Sequence, residues 1–332
     1  MKERITYYDS LRGLAIMGVV FIHSMRYQDD SSVNIAIVFR QLINFSVPLF
    51  LALSGFFLAE KEILNKKEYF TFLKKRIPRV YLPYAVWSLV FIVINIVTIK
   101  NISIGNQLFN FVIFQTKAIF YFVALIIQYY ILFPILKRFL SKKLLLTSMV
   151  VSLMACLLIF AYQHSTHRTL PLILYAGNAL TWILFFVLGM YLRIYKINIK
   201  RNTIIALAIG AFGLSVVETY FQIEIIGNIG SAVSAVKVSS FLYSALIIVL
   251  LLNYKYSIKT IFYDLGKVSY AIYLLHLLVL KVVVKMFAYF NINYYQIMAE
   301  IGIGICTLLL SYLMCIGMRK IAPIFSAKYL GI

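Results

Sequence analysis

The sequence predicts an all-α integral membrane protein of about ten transmembrane helices, with both termini on the cytoplasmic side. Three observations predict it. First, 63% of the 332 residues are hydrophobic, only 13% are charged, and the mean hydropathy is +0.91. A soluble domain carries about 45–50% apolar and about 25% charged residues, so lipid must be the solvent for most of this chain. Second, the chain divides into ten apolar stretches, most near the roughly 20 residues that a hydrocarbon core demands. Third, Lys and Arg are distributed unevenly between alternate connections. With the N-terminus inside, 24 of the 32 face the cytoplasm, which is the orienting bias of membrane proteins. A cytoplasmic C-terminus then requires an even number of spans.

The stretches run over about 11–27, 34–58, 78–99, 118–137, 144–162, 170–192, 203–221, 237–253, 266–289 and 297–318. The first follows the polar opening MKERITYYDS and lacks a small-residue cleavage site, so it reads as a retained span rather than a signal peptide. The third starts at the basic run KKRIPRVYLPY, where Pro78 and Pro83 suit a helix start or a kink. The sixth contains Gly177 and Asn178, and the ninth follows the polar linker NYKYSIKT. No internal repeat or low-complexity tract is visible, and the short loops leave no room for a soluble domain. A single membrane domain over 1–332 is expected.

A formal charge of +21 would suggest nucleic acid in a soluble protein. Here topology and anionic lipid account for it, and no nucleic-acid partner is expected. Cys156, Cys306 and Cys315 all lie in apolar runs and read as small hydrophobes. No CxxC or Cys/His spacing supports a disulfide framework or a metal.

The first span contains Asp9, Arg12 and His23. Eleven residues at about 100° each bring Arg12 and His23 to the same face, about 16 Å apart along the axis. Asp9, three residues before Arg12, can pair with it. An imidazole inside lipid is costly and marks function by default, although a histidine can also serve as a hydrogen-bonding link between helices. Arg76 and Arg79 share a face of the third helix. They can grip phosphates bidentately or simply set topology, as the neighbouring lysines do. His276 is a second intramembrane histidine, with the Tyr270, Tyr273 and Ser269 hydroxyls close by in sequence. His164 and His167 fall in an outer loop. There is no phosphate-binding GxxxxGK[ST] loop, no GxSxG nucleophile elbow and no HExxH metal motif. Nor is there a His with an Asp five residues later: Gln28 occupies that place, and Asp29 stands about 240° around the helix from His23.

Taken in order, Asp9-x-x-Arg12 with ten residues between Arg12 and His23, Arg76-Ile77-Pro78-Arg79, Tyr121-Phe122 through Gln128-Tyr129-Tyr130 to Pro134, and Ser269-Tyr270 through Tyr273-Leu274 to His276 resemble acyltransferase family 3. This is a family of membrane proteins. The resemblance covers nearly the whole chain. It implies an integral membrane O-acyltransferase, most often an O-acetyltransferase of cell-wall or exported polysaccharide, with acetyl-CoA or another acyl-CoA as donor and no metal. Some members carry a soluble esterase-like domain after the membrane part. Without one, this chain acts alone or hands the group to a separate extracytoplasmic transferase.

Resemblance and residue chemistry together give one reading. Arg76, Arg79 and Arg12 hold the phosphates of the donor at the cytoplasmic face. Its flexible arm threads between helices, and His23 is the general base on a hydroxyl of a glycan or lipid-linked glycan. Asp9, Tyr270 and His276 support them. The setting is the plasma membrane, with its lipid as the surrounding partner. Two other classes stay open: a transporter or flippase of a lipid-linked glycan, and a non-catalytic component of an export complex.

Overall fold

The computed structural model describes residues 6–25, 34–99, 102–254, 260–292 and 296–332, and every regular element among them is helical. The chain begins with α1 (Thr6–Ser24), α2 (Ile35–Ile43) and α3 (Ser46–Leu58). Next come α4 (Lys66–Thr98), α5 (Ile104–Val112) and a 3-10 turn, Ala118–Phe120, that leads into α6 (Tyr121–Arg138). The middle holds α7 (Lys142–Thr166), α8 (Leu172–Tyr175), α9 (Ala179–Ile194), α10 (Arg201–Ile226), α11 (Ile229–Ala232) and α12 (Val238–Asn253). The last part is α13 (Thr260–Lys267), α14 (Ser269–Tyr289), α15 (Ile297–Ile321), α16 (Pro323–Phe325) and a π-turn, Ser326–Leu330.

Among the described residues seven helices are long and apolar enough to cross a membrane: α2 with α3, α4, the 3-10 turn with α6, α7, α10, α14 and α15. The other three expected stretches are helical as well. They correspond to α1, which carries Asp9 and Arg12, and to α9 and α12, which have 16 residues each. The second stretch is broken at Asn44–Phe45. There the Asn44 amide bonds the Gln41 side chain and the Val233 carbonyl, so the break is not left without partners. α4 starts twelve residues before the expected span. Asn65 caps it by accepting from the Glu68 N–H, while Glu68 accepts from the Leu64 N–H. This reciprocal cap starts a helix in polar sequence, where hydropathy gives no signal. Arg76 and Arg79 therefore lie inside a 33-residue helix rather than at its start. In the sixth stretch Asn178 caps α9 through the Leu180 N–H, and Gln128 of α6 bridges the break. It donates to the Gly177 carbonyl and accepts from the Ala179 N–H.

The side chains gather into two large apolar cores. One joins α3, α6, α9 and α12 around Trp182, Phe185, Phe186 and Phe241; the other joins α1, α4, α14 and α15. α1 sits between them and is gripped closely by α13. A Cβ on Gly13 would lie 1.8 Å from the Phe262 carbonyl oxygen, and one on Gly266 would lie 1.8 Å from that of Asp9. Glycine at both places lets the backbones touch, the small-residue packing that lipid-embedded helices favour. Gly13→Ala or Gly266→Ala is expected to destabilise the protein by about 1–3 kcal/mol or more, read as a lower melting temperature in detergent. Gly210→Ala, with nothing within 4 Å of its added Cβ, should be neutral or mildly stabilising. Equal behaviour of all three would show that the α1–α13 contact is not tight.

Candidate functional site

The α1–α13 contact fixes one end of a cavity of about 330 Å³ at the boundary of the two cores, with walls from α1, α3, α4, α6, α13 and α14. Arg12 and His23 both line it, the first beside Lys267 and Tyr130 and the second three turns further along α1. At 1.5 Å per residue they stand about 16 Å apart. At the Arg12 end, Asp9 is buried, and its Oδ1 accepts from Arg12 Nη1 at 3.2 Å. The guanidinium also lies over the Phe57 ring, 4.8 Å from its centroid. Aromatic face and carboxylate together orient the fork, leaving the Arg12 side chain 30% exposed.

Arg76 and Arg79 do not line this cavity; the next residue, Val80, does. Arg76 is half-buried and Arg79 exposed. Both act electrostatically with Arg12 on the Tyr130 hydroxyl, which is part of the wall. The three guanidiniums therefore lie within electrostatic reach of one wall residue at that end. Lys61, in the connection before α4, belongs to this group: burial, and then the charges of Arg76, Lys75 and Arg79, push its ammonium below the usual lysine range. Such an accumulation of positive charge suits an anion with several phosphates.

His23 occupies the opposite end. It is partly exposed to the cavity, whereas His276 behind it is fully buried, with ring centroids 5.3 Å apart. His276 Nδ1 faces the backbone carbonyls of Tyr273 at 2.8 Å and Ile272 at 3.1 Å. Carbonyls only accept, so Nδ1 carries the proton and donates. Nε2 is then an acceptor, buried and without a partner among the described residues. The two imidazoles thus pack ring against ring, their planes tilted by 40°. Arg40 lies within electrostatic reach of His23, and its Nη1 donates to the Ile22 carbonyl at 2.8 Å.

Several tyrosines reach the cavity, and two spend their hydroxyls on the backbone. Tyr270 donates to the Val80 carbonyl at 2.5 Å, tying α14 to α4 beside Arg79, and Tyr273 donates to the Ile119 carbonyl. Tyr121 was noted in the sequence only as part of a motif. It also lines the cavity, lies within reach of Arg40, and makes no hydrogen bond among the described residues. Sequence reasoning missed Lys267 and Gly331 as wall residues. Gly331 belongs to the turn after α16, where the Leu330 carbonyl accepts from Trp87 Nε1 at 3.4 Å. Only the three-dimensional return of the chain places it there. Gln28, Asp29 and Arg26 lie outside the described residues.

The order of the motifs along the chain agrees with the comparison to known families. A family model described as an acyltransferase domain matches residues 5–316. No curated protein and no solved structure gives a significant match. The match takes in nearly the whole chain, including all of α1 to α14. It covers entirely six of the seven spans long and apolar enough to cross a membrane, and the seventh, α15, in most of its length. The chain therefore belongs to acyltransferase family 3 and is a multi-pass integral membrane enzyme that transfers an acyl group other than an aminoacyl group.

Proposed function

We propose that the enzyme moves an acetyl group from cytoplasmic acetyl-CoA to a hydroxyl of a cell-surface or exported polysaccharide, or of its lipid-linked precursor. The observation that carries this reading is the single cavity that has Arg12 at one end and His23 at the other. The nucleotide end of the donor, with its phosphates, stays at Arg76, Arg79 and Arg12. The pantetheine arm, thin and flexible, occupies the cavity, and the thioester reaches His23. His23 accepts the proton of the acceptor hydroxyl as its oxygen bonds to the thioester carbonyl carbon. The carbon–sulfur bond then breaks, and the same proton passes to the departing thiolate, leaving an ester and free CoA. His276 positions the His23 ring by packing against it, with the ring centroids 5.3 Å apart. Tyr121 has a hydroxyl free to donate to the carbonyl oxygen as negative charge develops there. Transfer of labelled acetyl from acetyl-CoA to glycan acceptors by the purified protein tests this reading. Absence of transfer to any hydroxyl acceptor, from a protein shown to bind CoA, would end it.

The donor side requires an orientation, and we place both termini in the cytoplasm of a ten-span plasma-membrane protein. In the fold, the ends of alternate helices meet through bonds between residues distant in sequence. Tyr7 donates to the Leu251 carbonyl at 2.7 Å, Lys137 to the Ala59 carbonyl, and Arg193 pairs with Glu60. This is the end that carries most of the basic residues. In a background with Cys156, Cys306 and Cys315 replaced, an impermeant thiol reagent applied to intact cells should reach Ser165→Cys and miss Lys66→Cys. The reverse labelling would overturn the orientation and the donor side with it.

A further inference from the structure

Eight of the 32 basic residues fall outside the connections that the sequence assigns to the cytoplasm, where the orienting bias disfavours them. Three of them converge. Lys117, just before the 3-10 turn that leads into α6, and Lys281 and Lys285 of α14 line one groove of about 330 Å³. Its remaining wall is apolar apart from Asn95, with Phe91, Ile94 and Val284 among the contributors. Lys281 and Lys285 are i, i+4 on one helix face, a like-charge pair that destabilises a helix. Both are exposed and Lys117 is half-buried. Burial, and then the charge of Lys281, push the Lys117 ammonium below the usual lysine range. The Lys117 ammonium lies 5.1 Å from the centroid of the Phe91 ring. None of the three has an ion-pair partner among the described residues. Extension of lysine side chains toward the interface accounts for single charges there, but not for three converging on an apolar groove without a counter-charge.

We infer that this groove binds the phosphate headgroup of a lipid-linked acceptor, with the three lysines on the phosphate and the lipid chain along the apolar wall. Lysine is a compact point charge that suits phosphate. Depth in the membrane fits as well. Lys281 and Lys285 stand about 7.5 and 13.5 Å beyond His276 along α14, toward the end where a headgroup would sit. Lys117 is two residues, at most about 7 Å of chain, from Ile119, which lines the His23 cavity. A sugar attached to the held phosphate is thus brought to the acceptor end of that cavity. The assignment rests on the proposed acyl transfer only for the acceptor's identity, and it selects the lipid-linked precursor over the finished polysaccharide.

Binding without any acyl donor tests it. The full-length protein in detergent is titrated with hexadecyl phosphate, hexadecanol, phosphatidylglycerol and inorganic phosphate. Hexadecyl phosphate should bind at least tenfold more tightly than each of the others. The triple variant Lys117→Gln, Lys281→Gln, Lys285→Gln should lose about ten- to a hundredfold in that affinity while CoA binding is unchanged, which also shows that it is folded. If the triple variant does not fold, Lys281→Gln alone should still weaken hexadecyl phosphate severalfold. Equal binding of hexadecanol, or undiminished binding by a folded variant, would overturn the site. Tight binding of inorganic phosphate alone would overturn the lipid, and parity with phosphatidylglycerol would reduce the groove to one for bulk lipid. A protein that binds hexadecyl phosphate through these lysines but does not transfer acetyl would leave the groove standing and end the acetyl-transfer reading instead.

Discussion

His23→Gln is expected to leave a folded, CoA-binding protein that transfers almost no acyl group. His23 is the imidazole with surface in the cavity, three turns of α1 beyond the Arg12 guanidinium, and the partly exposed member of the His23–His276 pair. Loss of a general base typically costs about 10²–10⁴-fold in rate. His23→Ala removes the base and also the contact with His276, so on its own it does not separate chemistry from packing. Glutamine keeps a hydrogen-bonding side chain of similar length but has no usable base. If His23 only links helices, glutamine restores transfer; if it takes a proton, glutamine stays inactive. Single-turnover transfer with CoA binding measured in parallel distinguishes the two. Near-normal transfer by a folded His23→Gln protein would falsify the catalytic assignment. An independent check is the pH profile: transfer should fall as pH drops through the value at which His23 gains its second proton, because an imidazolium cannot accept another.

How much of this was legible in the sequence depends on the length scale of each signal. The helices were legible, because apolar runs near 20 residues register regardless of what they pack against. That Arg12 and His23 share one face of α1 follows from helix periodicity alone, since eleven residues are almost a whole number of turns. What the sequence could not give were features made by neighbours distant in the chain. The His23–His276 pair joins residues 253 apart in sequence, and nothing in either span specifies the other. Gln128 reads as one polar residue in α6 until the Gly177–Ala179 backbone is seen on it. α13 was hidden because eight residues carry little periodicity, and because its reason to be helical is contact with α1 at Gly13 and Gly266. The start of α4 was misplaced for the opposite reason: its signal, Asn65 with Glu68, is polar and local, while the expected boundary came from hydropathy.

The arginines of α4 supply the second large expected effect. Arg76→Ala or Arg79→Ala should weaken donor binding while changing the rate of bound donor much less. The two guanidiniums stand outside the cavity, remote from the carbonyl proposed to react at His23, so on that proposal their contacts are the same in ground and transition states. A lost charge-assisted hydrogen bond costs about 1.5–3 kcal/mol, or roughly ten- to over a hundredfold in affinity. Arg76 is half-buried and Arg79 exposed. Water screens the exposed group more strongly, so the larger loss is expected at Arg76. The competing role of these residues, setting topology with the surrounding lysines, predicts a different pattern. Lysine carries the same charge and would keep the orientation, but it cannot reproduce the two parallel N–H donors of the fork. Arg76→Lys should therefore insert normally and still bind CoA poorly. Full CoA affinity in both alanine variants would leave α4 with only its orienting charge, and the donor phosphates would then have to rest on Arg12 and Lys267 at the cavity itself.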